Sequence, residues 1–249
     1  LDISTLPPVD RALLPPGAPA DCILASNEHG VYCVPRALAL RRPPRPVLAA
    51  LIRARVWEPD TLDLLRSADP DGDIVHAGTF VGDFLPALAR SRGSGAKVWG
   101  FEPNTATYLC ARVTTLLNGL RNVELTHAGL AGASGTALLA ISDRDGLALG
   151  GGSRLVADLS RARWTETEQI VLIAIDEVIS ADRHVAAIHL SVQRHEREAL
   201  TGAMRTIERC RPLIVLASRP SAKWIAANLS PLGYRAQGSV DANTILRCG

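Results

Sequence analysis

From residue 73 to the C-terminus, short apolar runs alternate with longer amphipathic segments, the pattern of a parallel sheet whose strands are joined by crossover helices. The runs predict strands at Asp73–Ala77, Lys97–Phe101, Val123–Thr126, Ala186–Ser191 and Leu213–Ala217. Helices are expected between them, over Asp83–Ser91, Thr105–Leu117, Glu196–Cys210 and Ala222–Leu229. Two further extended segments, Thr136–Ile141 and Gln169–Ala174, flank a polar stretch that holds Gly150, Gly151 and Gly152. The chain closes on Tyr234–Gln237 and Thr244–Arg247, two short runs around Gly238–Asn243 that read as an antiparallel hairpin. The expected fold class is α/β: a Rossmann-like, doubly wound, mostly parallel seven-stranded sheet with a C-terminal antiparallel hairpin.

Proline separates this pattern from what precedes it. Eleven of the 16 prolines lie in residues 1–70, so that segment is neither continuous helix nor central sheet and reads as an N-terminal arm before a domain over residues 71–249. Within the arm, Cys22–Ala25 and Val31–Val34 are β-prone runs around a Ser-Asn-Glu-His-Gly turn, which predicts a hairpin. A helix is expected from Val47 to Val56, and a second short one after Glu58-Pro59, with proline at an early helical position. The arm's place before the first long-sheet strand suggests that it packs beside the sheet's ligand crevice.

The 249 residues carry 27 Lys+Arg against 25 Asp+Glu, a net charge of +2 with no basic stripe, which disfavours nucleic acid as a partner. No apolar run is long enough to span a bilayer and no secretory pattern opens the sequence, so a soluble, cytoplasmic protein is expected. The five cysteines (Cys22, Cys33, Cys110, Cys210, Cys248) are odd in number and never spaced CxxC, so neither a disulfide framework nor a zinc site is signalled. Cys22 and Cys33 at most face each other across the hairpin.

The most informative stretch is Asp73-Ile74-Val75-His76-Ala77-Gly78-Thr79-Phe80-Val81-Gly82-Asp83, a buried-type strand running into glycines and then a helix. Gly78 permits close backbone approach at the strand's carboxyl end, and Gly82 permits tight packing where the helix begins. The next strand ends in Phe101-Glu102-Pro103-Asn104, placing a carboxylate about 20 residues after the loop, where it can accept both hydroxyls of a ribose. A dinucleotide fingerprint fails, because His76 and Val81 stand at two of its three glycine positions. A P-loop is absent as well. S-adenosylmethionine, which carries no phosphate and needs one open glycine turn, fits the loop better.

These residues resemble the FkbM-type methyltransferases, a branch of the class I S-adenosylmethionine-dependent enzymes. The family's D-V-G-A-N-I-G-D-Y pattern corresponds to His76 through Phe84, its F-E-P to Phe101-Glu102-Pro103, and its N-G-L-x-N-V to Asn118 through Val123. The later K-I-D-V-E-G-x-E segment resembles His189-Leu190-Ser191-Val192-Gln193-Arg194-His195-Glu196. The resemblance runs from about Glu58 to the C-terminus and implies a hydroxyl acceptor on a sugar, glycosylated natural product or polyketide, with S-adenosylhomocysteine as the second product. Five departures stand out: His76 for Asp, Phe80 for Asn, Ser191 for Asp, Gln193 for Glu and Arg194 for Gly. With the two carboxylates gone from that strand end, no divalent metal is expected, because hard cations want clustered carboxylate oxygens.

Methyl transfer to an alcohol needs positioning of the acceptor and removal of its proton, a role that suits a neutral imidazole near pH 7. The catalytic candidates are His195 and His189, with Ser191 and Gln193 on the same strand end; for either histidine the plainer reading is a ring satisfied by a nearby carbonyl. The cofactor-binding candidates are His76, Ala77, Gly78, Thr79, Phe80, Gly82 and Asp83 on the loop, and Glu102, Pro103 and Asn104 after the second strand. His76 is placed to touch the methionine end of the cofactor, while Asp83 and Asn104 equally suit helix N-termini. The glycine-rich Gly146–Ser153 loop either closes over a ligand or is an ordinary surface loop. Two rival readings stay open: a non-catalytic homologue that binds the cofactor, suggested by Ser191 and Gln193, and a nicotinamide-dependent oxidoreductase, suggested by the strand-glycine-helix-acid order.

Overall fold

The computed structural model describes residue 19, residues 21–156 and residues 164–249. Most of the proline-rich start of the arm therefore lies outside the described residues. The remainder of the arm forms a hairpin, β1 (Cys22–Asn27) and β2 (Gly30–Pro35), then α1 (Arg36–Leu40), α2 (Pro46–Ile52) and α3 (Pro59–Arg66). Both expected helices begin on a proline, whose missing N–H costs nothing in the first turn. The hairpin pairs Leu24, not Cys22, with Cys33, and the Cys33 thiol lies 3.6 Å from that of Cys110.

The main sheet has seven strands: β3 (Asp73–Ala77), β4 (Val98–Phe101), β5 (Val123–Thr126), β10 (Val185–Leu190), β11 (Leu213–Leu216), β12 (Tyr234–Val240) and β13 (Asn243–Cys248). Their spatial order is β12-β13-β11-β10-β3-β4-β5, with β13 antiparallel to both of its neighbours and the other pairings parallel. This is the class I methyltransferase arrangement of a doubly wound sheet. The chain runs outward from β3 to β5 on one side and from β10 to β12 on the other, so β3 and β10 flank the topological switch point where such sheets bind ligands.

Five α-helices return the chain between these strands: α4 (Leu85–Arg90), α5 (Thr105–Leu117), α7 (Glu196–Thr201), α8 (Met204–Cys210) and α9 (Ala222–Asn228). On one face of the sheet, Val75, Ala77, Ile188, Leu190, Ile214 and Leu216 pack with Leu200, Ile207 and Ile225 from α7, α8 and α9. On the other face, Ile74, Ala187 and Val215 pack with Leu62 and Leu65 of α3 and with Leu85 and Leu88 of α4. Burying each such leucine contributes about 2 kcal/mol. At the sheet's amino edge, the buried Asp73 accepts the Lys97 N–H at 2.8 Å, the Trp99 indole N–H at 2.7 Å and two Arg183 guanidinium donors.

The helix expected over Glu196–Cys210 is broken in two. A side chain at Gly202 would meet the Ala131 carbonyl at 2.0 Å, so the backbone passes too close to that carbonyl for any other residue, and the helix restarts after Ala203. The helix expected from Asp83 starts later, at Leu85 with Pro86 in its first turn. The two β-rich segments between β5 and β10 form β7 (Gly135–Ala140) and β9 (Thr167–Ile173), which join the short β6 (Gly129–Leu130) and β8 (Arg154–Leu155) in a second, four-stranded sheet of order β6-β9-β7-β8. A short helix, α6 (Ile175–Val178), leads from β9 back to the main sheet.

Candidate active site

A cleft of about 950 Å3, counting the solvent at its mouth, lies over the carboxyl ends of β3, β4 and β10. One side is apolar, formed by Ala128 to Leu130 with Leu139, Leu155, Ile170 and Leu172 of the second sheet. The arm contributes Val47, Trp57 and Glu58 to the lining.

The loop after β3 is held in a conformation that its residues resist. Gly78 takes φ +79°, and a side chain there would strike the Ser191 carbonyl at 2.2 Å, so glycine is required by the closeness of β10's end as well as by its dihedral. Phe80 also has a positive φ, +52°, where the resembling family has Asn, a residue that tolerates this region. Its ring rests on Gly150 and Gly151 of a short 3-10 turn, Gly150–Gly152, that lines the cleft. Gln193 and Arg194 are left-handed too, at +52° and +73°. The Gln193 amide donates to the Gly151 carbonyl at 2.8 Å, joining the glycine turn to the β10 edge.

Glu102 is buried at the end of β4. Its Oε2 accepts the Phe80 N–H at 2.8 Å, and its Oε1 accepts the Asn104 N–H and the Thr107 hydroxyl, each at 3.0 Å. Three of its roughly four acceptor positions are thus taken by the chain itself, leaving one, on Oε2, for a ribose hydroxyl where two had been expected. Burial outweighs these donors and raises the carboxyl to about 7. Asp83, which keeps some surface open to the cleft, is likewise raised by burial to about 7. Glu58 completes an acidic wall, raised mainly by burial and donated to by the Asn243 amide at 3.0 Å.

The residues singled out from sequence divide by position. His76, Ala77, Gly78, Phe80, Asp83, Glu102 and Pro103 line the cleft from the β3 and β4 sides. His189, Ser191, Gln193 and His195 line it from the β10 side. Thr79, Gly82 and Asn104 stand behind the wall. Thr79 is buried with its hydroxyl unpartnered among the described residues, Gly82 packs against Leu85 and Thr114, and Asn104 caps α5 by accepting the Thr107 N–H at 3.1 Å. The Asn104 side chain also donates to Ser153 at 3.2 Å, which fastens the glycine-rich loop over the β4 edge.

Two histidine arrangements differ in kind. His195, at the start of α7, has its Nδ1 3.6 Å from Glu198 Oε2, while its Nε2 is buried without a partner among the described residues. Burial keeps this ring neutral more strongly than Glu198 favours its charge. His76 and His189 face each other across the switch point, Nδ1 to Nδ1 at 2.9 Å, their rings within 2° of parallel and Phe84 lying near both. Burial holds both neutral, lowering His189 to about 4 and His76 well below its ordinary value. Sequence reasoning named both residues but not their contact, for which the only signal is their position near the ends of two strands that the fold makes neighbours. Among the described residues, no three His, Cys, Asp or Glu side chains converge as metal ligands would.

No match was found among curated proteins. Among solved structures, the chain is similar to an FkbM methyltransferase from Methylobacillus flagellatus KT, at 17% identity and TM-score 0.42, covering 71% of this chain and 43% of that one. It is also similar to a SAM-dependent methyltransferase from Aquifex aeolicus, at 12% identity and TM-score 0.42, covering 78% and 91% of the two chains. A third is TYW2 from M. jannaschii, at 10% identity and TM-score 0.46, covering 90% and 83%. The chain spans less than half of the first of these. The model of the methyltransferase FkbM domain matches residues 73–235, from the first strand of the main sheet into its C-terminal hairpin, and the chain belongs to that family of S-adenosylmethionine-dependent methyltransferases.

Proposed function

We propose that this protein transfers a methyl group from S-adenosylmethionine to a hydroxyl oxygen of a small-molecule acceptor. The observation that carries the reading is the cleft at the switch point. It sets the Glu102 carboxylate, with one acceptor position open, beside an apolar slot that suits an adenine ring. Glu102 and the backbone of Gly78 would hold the ribose side, Ala128 to Leu130 and Ile170 the base, and His76 the amino-acid end. When bound, the cofactor supplies an electrophilic methyl group on a sulfonium.

The chain's own groups handle the acceptor. His195 offers its unpartnered Nε2 as the base that receives the hydroxyl proton, and Glu198 steadies the imidazolium that results. Gln193 holds the glycine turn against the acceptor edge, and Ser191 fixes the distance between β10 and the Gly78 loop. No metal is assigned a role. A hydroxylated sugar, glycoside or polyketide suits a wall of carboxyls with Trp57 and Phe84 beside them, whereas nucleic acid and membrane do not suit a chain of charge +2 without a basic stripe. A cytoplasmic site of action and a part in natural-product biosynthesis go with this reading.

The test is calorimetric titration with S-adenosylhomocysteine, with Glu102→Ala beside the wild type, followed by transfer assays on hydroxylated sugars and glycosides. Micromolar binding that weakens at least tenfold in the variant, with a methylated oxygen in the product, is the expected result. Binding without transfer to any acceptor would favour the second reading, a non-catalytic homologue, for which Ser191 and Gln193 speak because the resembling family has carboxylates there. The nicotinamide alternative is set aside by the family match.

A further inference from the structure

The His76–His189 contact constrains both rings at once. A hydrogen bond between two Nδ1 atoms 2.9 Å apart needs one proton between them, so one ring carries Nδ1–H and the other presents a bare Nδ1. Each ring is neutral, because Phe84 and the sheet bury both to within 3% of full exclusion from solvent and no carboxylate among the described residues bonds to either one. A neutral imidazole holds one proton. The ring with Nδ1–H must therefore have a bare Nε2, and its partner must have Nε2–H. Both Nε2 atoms are buried and without a partner among the described residues, and both residues line the cleft.

We infer that His76 and His189 act as one ligand-binding unit in the cleft, presenting one hydrogen-bond acceptor and one donor whose polarities are locked to each other. The two Nε2 atoms lie on the far sides of the rings from the shared proton, so the unit meets two separate groups, a hydrogen-bond donor such as the cofactor's ammonium at one nitrogen and an acceptor such as a hydroxyl oxygen at the other. Because His76 stands on the cofactor strand and His189 on the acceptor strand, a ligand that donates to His76 forces His189 to donate toward the acceptor. Reversal of polarity conserves protons: one enters at the bare Nε2, one crosses between the Nδ1 atoms, and one leaves the other Nε2. The contact of this unit with the cofactor rests on the function proposed above, whereas the locked polarity does not.

The experiment is 15N NMR of histidine-labelled full chain, free and saturated with S-adenosylhomocysteine, with His76→Asn and His189→Asn used for assignment and calorimetry run in parallel. In the free protein at neutral pH, one of the two rings should show the Nδ1–H form and the other the Nε2–H form, or an averaged exchange between them. Two Nε2–H rings, or an imidazolium, would overturn the inference. On saturation the two rings should settle together into one arrangement, and in His76→Asn the ligand-induced change at His189 should be lost while binding weakens by about tenfold or less. A His189 signal that ignores bound ligand in the wild type would overturn the linkage. Absence of binding heat would overturn the cofactor reading, and the spectrum of the free protein would still decide the pair.

Discussion

Glu102 Oε2 receives the backbone N–H of Phe80 at 2.8 Å, so a carboxylate expected to serve a ligand also serves as the clamp of a strained loop. Glycine-like dihedrals at a bulky residue cost about 1–3 kcal/mol and persist only where neighbours over-determine them. Here the neighbours are Glu102 and the glycine turn beneath the Phe80 ring. Truncation at Phe80→Ala should therefore lower stability by about 3 kcal/mol through lost burial, more than any relief of strain returns. Urea denaturation would measure it, and an unchanged midpoint would show that the ring is not packed on the turn.

Arg194 is exposed and left-handed, where the resembling family has glycine. Replacing it by glycine removes the steric cost of the dihedral and sacrifices little packing. Arg194→Gly should raise stability by about 1 kcal/mol, visible as a higher thermal midpoint. A lower midpoint would mean that the arginine makes a contact worth more than its strain.

The two carboxyls raised to about 7, Asp83 and Glu102, give stability an unusual dependence on pH. Each has a folded-state value above its unfolded one, so its contribution is complete below the unfolded values of 3.8 and 4.5 and is lost as pH rises through about 7. The ligand-free protein should accordingly lose stability to urea between about pH 4 and pH 7 and level off above that. Asp83→Asn should flatten that slope; an equal slope in the variant would assign the effect elsewhere.

Thr114 of α5 is fully buried, accepting the Cys33 N–H at 3.1 Å and donating to the Val81 carbonyl at 2.8 Å. One hydroxyl thus joins the arm hairpin, the helix and the cleft loop. Thr114→Val keeps the shape and strands two buried backbone groups, at a cost of about 2 kcal/mol or more. Thr115→Val, one residue along, removes only a bond to the Ala111 carbonyl within the same helix and should cost well under half as much in the same denaturation assay.

At the other edge of the sheet, Asp73 holds Arg183, Trp99 and the Lys97 backbone together. Asp73→Ala leaves a guanidinium and an indole N–H without their acceptor and should destabilise by about 3 kcal/mol. The ligand-binding affinity of the protein that remains folded should be unchanged, since Asp73 lies at the amino end of β3 and the cleft at its carboxyl end.

Strands β3 and β5 and helix α5 were legible almost to the residue, because their apolar periods are clean and Asn104 marks a helix start. What escaped was set by contacts distant in sequence. The break at Gly202 exists because the Ala131 carbonyl passes 2.0 Å from where a side chain would be, and nothing in the local sequence announces that neighbour. The positive dihedral of Phe80 hid the Glu102 clamp, since an extended loop would not aim that N–H at the carboxylate. His76 and His189 are 113 residues apart, and only the order of strands makes them neighbours. The small second sheet was visible as β-rich segments but not as pairings, because alternation reports a strand and not its partner.

The attachment of the hairpin to α5 sets an order of events during folding. The Asn118 side chain accepts the Val31 N–H and donates to the Val31 carbonyl across 87 residues, and Thr114 binds Cys33 across 81. Loops of that length are slow to close, since their entropy must be spent before any contact repays it. The arm leaves the ribosome before α5 but has nothing to dock on until α5 has emerged and packed against the sheet. Its wall of the cleft therefore completes late, and a nascent chain stopped before residue 105 would carry the apolar face of the hairpin, Tyr32 and Val34 included, without the cover that Cys110 and Val113 of α5 provide.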